Sequence, residues 1–349
     1  MPTIDDHGGW PALLTLLLDR NHLTSSQAEA AMTTILSGDA TAAQLIAFVV
    51  ALRAKGESAA ELAGLLDAAL ARAAIVPLTD DQRSRAVDIV GTGGDQSHSI
   101  NVSTMAAIVT AGAGVPVCKH GARGASSKCG TADVLEELGV AIELTPEGVK
   151  HCIEEAGMGF CFAPSFHPAF RFAAPSRREI GIPTVFNLLG PMANPGRVKR
   201  QVIGVANAAF AERMVETLHT HGSEHAWVVH GCGLDELTTT GTSEVIELKA
   251  GEIDHFRVDP ADLGFDPARS SDLTGGDRAE NAAVVRAVLD GQSGPHRDIV
   301  VLNAAAGLVV GGRADTLADG IVVAAESIDT GSAAATLERL VTASQAVAA

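Results

Sequence analysis

Residues 86–135 read AVDIVGTGGDQSHSINVSTMAAIVTAGAGVPVCKHGARGASSKCGTADVL. An apolar run, a glycine loop and an apolar helix follow one another, and then the order repeats. Ala86 to Val90 is expected to be a strand, Val102 to Ala113 an almost wholly apolar helix, Val115 to Cys118 a second strand and Ala132 to Leu138 a second helix. Strand, loop, helix, strand, loop, helix is the pattern of a parallel sheet built from βαβ units. A helix apolar on most faces suits direct packing against such a sheet.

The loops between these elements carry the chemistry. Lys119, Arg123 and Lys128 stand among Gly121, Gly124 and Gly130, with hydroxyls at Ser126, Ser127 and Thr131. Glycines let backbone N–H groups approach phosphate oxygens while the cations neutralise them. Gly91-Thr92-Gly93-Gly94-Asp95 directly follows a strand, where a helix N-terminus favours anions. Two such loops in succession suit a ligand with more than one phosphate group. Asp95 can accept ribose hydroxyls or approach a metal. Asn101, Ser103 and Thr104 open the following helix as caps, close enough to the glycine loop to reach a phosphate or magnesium as well. Asp235 and Glu236 follow the expected strand Ala226 to Val229 and suit magnesium, a hard cation that keeps several waters. Arg171, Arg177 and Arg178 form a cluster that suits either a substrate carboxylate or surface ion pairing.

The chain outside this stretch narrows the function classes. Its 349 residues carry 25 Lys and Arg against 42 Asp and Glu, a formal charge of -17. Such a field opposes nucleic-acid and anionic-membrane binding and makes a cationic loop a local exception. No signal peptide or transmembrane run is visible, and the five cysteines form no C-x-x-C pair, so free thiols in a reducing cytoplasm are expected. Cys129 lies in the cationic loop, where a lowered pKa could make it reactive; a small packing residue is the plainer reading. From Trp10 to Ala74 the periodicity gives about four helices, one opened by a capping box of Ser26 with Glu29. Phe160 to Pro164, Gln201 to Ala206 and Ala226 to Val229 read as strands, with a helix at Ala209 to Thr220. His167 to Glu179 reads as helix and Asn187 to Pro195 as a Gly/Pro-punctuated loop. A hairpin spans Ser243 to Val258, and four helices fill the remainder from Asp277. The expected fold class is α/β: a small all-helical domain at 1–76, with a returning segment near 168–190, and a larger α/β domain at 77–167 and 191–349 whose mainly parallel sheet is flanked by helices.

Five motifs in order make the chain resemble the anthranilate phosphoribosyltransferase family: GTGGD at 91–95, NVST at 101–104, KHGARGASSKCGTAD at 119–133, RREIGIPTVFNLLGPMANP at 177–195 and GLDELT at 233–238. The resemblance covers nearly the whole chain. It implies the nucleoside-phosphorylase/phosphoribosyltransferase fold and transfer of a phosphoribosyl group from 5-phosphoribosyl 1-pyrophosphate to anthranilate, with magnesium, in tryptophan biosynthesis. It implies donor contacts at Gly91, Gly94, Asp95, Ser99, Asn101, Val102, Ser103, Thr104 and Thr131, and along Lys119, His120, Gly121, Ala122, Arg123, Gly124, Ala125, Ser126 and Ser127. Ser103, Asp235 and Glu236 would hold magnesium. Gly91, His120, Ala122 and Arg177 would meet anthranilate, with Pro164 and His167 lining its entry, and Lys119, Arg177, Asp235 and Glu236 would carry the catalysis. Ala122 stands where the family has asparagine, which opens acceptor affinity and identity to change. The alternatives are a pyrimidine-nucleoside phosphorylase, which usually has Lys-His-Ser-Thr-Gly-Gly where Val90-Gly91-Thr92 begin the first loop here, and transfer to another aromatic amine. The resemblance implies a homodimer through the helical domain; with only Trp10 and Phe48 as aromatic anchors there, monomer and homodimer both stay open.

Overall fold

A computed structural model describes residues 3–124 and 128–348. Seven strands form one sheet in the order β3-β2-β1-β4-β5-β6-β7. They are β1 (Val87–Gly91), β2 (Val117–Gly121), β3 (Met158–Phe162), β4 (Arg200–Gly204), β5 (His225–Gly231), β6 (Ser243–Lys249) and β7 (Glu252–Val258). β1 to β5 pair in parallel, whereas β6 and β7 run antiparallel as a hairpin closed by Ala250 and Gly251, both at positive φ. The connections reverse direction between β1 and β4, and ligands bind outside the carboxyl ends of strands at such a switch point.

Both faces of the sheet are covered. On one, the helices Val102–Gly112 and Pro295–Val310 bury Met105, Ile108, Ile299 and Leu302 with Ile89, Val202 and Trp227. On the other, Leu13, Phe48, Leu52 and Leu65 of the N-terminal helices share a cluster with Val185, Phe186 and Leu189, with Met214, and with Ile203 and Val228 of the sheet. Ile203 and Val202 therefore point to opposite faces, as strand alternation requires.

The N-terminal region forms four α-helices: Gly9–Leu18, Ser25–Ser37, Ala42–Lys55 and Ala59–Ala71. Three of them start on reciprocal capping boxes, Thr24 with Gln27, Thr41 with Gln44 and Ser58 with Glu61. The expected Ser26–Glu29 box is thus displaced to Thr24 and Gln27. Val115 to Cys118 as a strand is also corrected: β2 runs on to Gly121, so Lys119 and His120 are strand residues. The loop expected at Asn187 to Pro195 is mostly the helix Val185–Met192, because Val185, Leu188, Leu189 and Met192 recur at helical spacing and Asn187 caps Thr184 N–H at 3.1 Å. Pro191 is accommodated in its last turn. The long helix expected at His167 to Glu179 is broken into a 3₁₀ turn, Pro168–Phe172, and the helix Ala174–Ile180, with Pro168 and Pro175 opening each piece. Helix Pro146–Ala156, with Thr145 as cap and Pro146 in its first turn, is an element the sequence reading does not supply.

Candidate active site

The segment carrying Asp235 and Glu236 lies against the carboxyl ends of β1 and β4. A Cβ at Gly91 would collide with the Asp235 carboxyl, and one at Gly204 with the Asp235 carbonyl. Glycine at both positions lets this acidic segment lie directly against the strand ends. Gly93 N–H then donates to Asp235 Oδ2 at 2.7 Å. Behind the pair, Asn303 of helix Pro295–Val310 holds the segment by bonding Leu237 N–H at 2.9 Å and Leu237 carbonyl at 2.8 Å.

Burial is the largest influence on these acids. It pushes Asp235 up to about 7, with the Asp95 carboxylate adding repulsion. Glu236 is driven well above its usual range by burial and by Asp235, although the Ser103 N–H and Lys119 charge oppose this. Lys119 is 1% exposed, donates to Ile89 carbonyl and lies 3.4 Å from Ser103 Oγ. Burial lowers its pKa against the pull of Asp88, Glu236 and Asp235. It is an internal cation beneath the cradle instead of an exposed loop lysine. Acids this strongly raised describe an oxygen donor set short of positive charge, which fits a hard cation. Among the described residues no three His, Cys, Asp or Glu side chains are arranged to hold a metal by themselves. A cation here would therefore complete its shell with waters and ligand oxygens, as magnesium does at phosphate sites.

The two glycine loops are fastened to each other. Asn101 Nδ2 donates to Cys129 carbonyl at 3.2 Å, and Thr104 Oγ1 lies 3.3 Å from Thr131 Oγ1. Asn101 opens helix Val102–Gly112 without a side-chain cap, because its Oδ1 instead accepts from Asn281 at 2.9 Å. Ser99 receives Ser97 Oγ at 3.1 Å, and Asp95 Oδ1 accepts Ser97 N–H at 3.2 Å. Gly94 has φ +80 with open space around it. Val102 is buried in the apolar core and offers the site no side chain.

Asp133, passed over in the sequence, organises the second loop. Its Oδ2 accepts from Gly124 and Gly130 N–H at 3.0 and 2.9 Å, and its Oδ1 from Arg123 at 3.0 Å. Arg123 also bonds Glu136 at 2.8 Å and lies over the Phe162 ring, so its guanidinium, expected to neutralise phosphate, is engaged within the protein. Gly121 ends β2, while Ala122 and Lys128 are exposed. Burial raises the Cys129 thiol, against the reactive reading. The contacts expected of Ala125, Ser126 and Ser127 fall outside the described residues.

A neutral wall faces this charged cradle. His120 Nδ1 donates to Gly190 carbonyl at 3.0 Å and His167 Nε2 to Ala193 carbonyl at 2.8 Å. Among the described residues each imidazole keeps one buried nitrogen without a partner, His120 Nε2 and His167 Nδ1, and the ring centroids are 5.0 Å apart. Burial pushes His120 down to about 3, with His167 contributing, and His167 down to about 4. Both are neutral hydrogen-bond acceptors at pH 7. Arg177 lies 5.0 Å over the Phe186 ring, burial lowers its pKa, and among the described residues no carboxylate pairs with it. Arg171 instead stacks on Phe172, and both Arg178 and Pro164 are exposed.

Residues 11–73 match the helical bundle domain, and residues 83–334 the a/b domain, of a glycosyl transferase family. Anthranilate phosphoribosyltransferase of Mesorhizobium japonicum is 50% identical over 319 residues, 91% of this chain and 94% of that one. The crystal structure of anthranilate phosphoribosyltransferase from Thermus thermophilus superposes with a TM-score of 0.90 at 39% identity, covering 95% of this chain and 99% of that chain. The Saccharomyces cerevisiae enzyme in complex with PRPP and Mg superposes with a TM-score of 0.87 at 28% identity, covering 97% and 98%.

Proposed function

The chain belongs to the anthranilate phosphoribosyltransferase family of glycosyl transferases, and from that premise we infer that it moves the 5-phosphoribosyl group of 5-phosphoribosyl 1-pyrophosphate onto the amine of anthranilate, releasing pyrophosphate. The observation that carries the reading is a cradle of buried acids and glycine loops facing a wall with a carboxylate-free arginine.

The C1–O bond to pyrophosphate breaks as the C1–N bond to the amine forms, and the proton the amine then sheds leaves with pyrophosphate or to water. The backbone of Gly91 to Gly94 and the Asn101 to Thr104 turn would hold the donor's phosphates and ribose, with Asp95 on its hydroxyls. Ser103, Asp235 and Glu236 would hold magnesium, which supplies charge stabilisation to the departing pyrophosphate. Lys119 keeps Ser103 and the two acids in register and offsets their repulsion. Arg177 would take the anthranilate carboxylate. The aryl amine is neutral at pH 7 and needs aim more than deprotonation. His120 Nε2, too weakly basic to keep a proton, can accept the amine N–H and orient its lone pair.

The reading places this reaction in tryptophan biosynthesis in the cytoplasm. Among the described residues no helix is long and apolar enough to cross a membrane. It also divides the chain into a helical domain at 1–76 with a return near 168–190, and an α/β domain at 77–167 and 191–349, working as a monomer or homodimer. Purified protein given donor, magnesium and anthranilate should consume the acceptor's fluorescence and release pyrophosphate in equal amount. Transfer to other aminobenzoates but not anthranilate, or magnesium-independent phosphorolysis of thymidine, would contradict it.

A further inference from the structure

Asp88 lies on β1 three residues before Gly91 and is fully buried, yet no step of the reaction uses it. Its two oxygens reach the neighbouring strand β2 and the segment that follows helix Val185–Met192. Oδ1 accepts the backbone N–H of His120 on β2 at 3.1 Å. Oδ2 accepts Asn194 Nδ2–H at 2.7 Å. Asn194 is 2% exposed and spends its whole amide on this junction: Nδ2 also donates to Cys118 carbonyl at 2.8 Å, and Oδ1 accepts Gly196 N–H at 2.8 Å. Directly upstream of Asn194 lies the segment that makes the neutral wall. It contains the Gly190 and Ala193 carbonyls that fix His120 and His167, and the Phe186 ring under Arg177.

We infer that Asp88 and Asn194 are a positioning pair that ties the acceptor wall to the donor strand and, alongside the bonds of Asn194 to Cys118, His120 to Gly190 and Gln201 to Pro191, sets how closely the two substrates meet. The inference rests on the function proposed above. Neither side chain reaches the cavity where the substrates would lie. They act through β1, which ends at Gly91, and through the 185–196 segment, which has no other side-chain bond to the β1 strand among the described residues. A misplacement of about 1 Å between reacting groups costs on the order of 100-fold in rate, whereas either substrate's own contacts would survive such a shift.

The test separates positioning from stability. Asn194→Asp keeps the shape but sets two carboxylates face to face. The double variant Asp88→Asn with Asn194→Asp restores the bond with donor and acceptor exchanged; the amide oxygen introduced at position 88 can still accept from His120 N–H, and the buried carboxyl introduced at 194, when protonated, can donate to the Cys118 carbonyl that Asn194 served. Full-length variants are assayed for anthranilate kcat/KM, and donor affinity is measured by calorimetry with magnesium. The single variant should lose at least 30-fold in anthranilate kcat/KM while donor affinity changes less than threefold, and the double variant should regain at least fivefold. A loss under 30-fold, a donor affinity that changes threefold or more, or recovery below fivefold would overturn the pairing. An inactive wild type would contradict the proposed function instead.

Discussion

On the proposed donor side, Asp235 and Glu236 lie near Lys119 while Asp95 adds repulsion to both, and burial with this repulsion raises Asp235 and Glu236. On the acceptor side, His120 and His167 have spent their N–H groups on backbone carbonyls and are held neutral by burial. Ionising the acids of the first side is costly, and a bound cation would relieve that cost. The second offers fixed direction at little electrostatic cost. On the proposed function, one wall waits for a cation and the other aims a neutral amine. Their different electrostatics should give them different responses to mutation and opposite responses to pH.

The largest contrast lies in the acids. Asp235→Asn with Glu236→Gln should lower turnover about 100- to 1,000-fold, the scale of losing preorganised transition-state charge stabilisation. The same double variant should melt higher than wild type at pH 8 without magnesium. Asp235 has its folded pKa raised from 3.8 to about 7, so the stability it contributes below pH 3.8 is lost as pH rises through 7. Scanning calorimetry and steady-state rates check both halves; a lower melting temperature or unchanged turnover would remove the acids from this role.

Arg177→Ala tests the aiming wall. Acceptor kcat/KM should fall about 10- to 100-fold, the scale of a lost charged hydrogen-bond pair, with donor affinity unchanged. Equal losses on both substrates would erase the distinction between the walls.

The histidines give the reverse pH signature. Their folded pKa values lie near 3 and 4, below 6.5, so unfolded chains take up protons first as the solution acidifies. The stability they contribute is complete above pH 6.5 and is lost as pH falls toward 4 for His167 and 3 for His120, at up to about 1.4 kcal/mol per pH unit for each. His167→Gln should flatten that acid arm in urea titrations between pH 6.5 and 4. A slope equal to wild type would show the ring is not held neutral.

The smallest effect is expected at Arg123. Because Asp133 and Glu136 already engage it at the surface, Arg123→Ala should change donor affinity by less than about fivefold, within the range of exposed ion pairs. A larger loss by calorimetry would mean that it leaves those acids for the donor.

Much of this was legible in the residues. Strand-loop-helix order marks the parallel sheet, and the glycines at Gly91 and Gly204 mark where the Asp235 segment packs against the strand ends, because local backbone demands leave local marks. The limits were equally physical. Lys119 read as a loop cation because a buried strand lysine depends on acids distant in the chain. Asn187 to Pro195 reads as a loop because Gly190 and Pro191 mask the apolar spacing of the helix Val185–Met192. Arg123 reads as a cation for a bound phosphate, and only the fold shows Asp133 and Glu136 beside it. Asp88 and Asn194 are 106 residues apart, so no local pattern announces their bond. Buried asparagines at 281 and 303 escaped notice for the same reason, since each is satisfied by a distant loop.

The most direct measurement is calorimetric titration of the wild-type protein with 5-phosphoribosyl 1-pyrophosphate, with and without magnesium. A donor wall short of positive charge should bind one equivalent at least tenfold more tightly with magnesium, and Asp235→Asn with Glu236→Gln should abolish that difference. Equal affinity in both buffers, or a magnesium effect that survives the double substitution, would contradict the account.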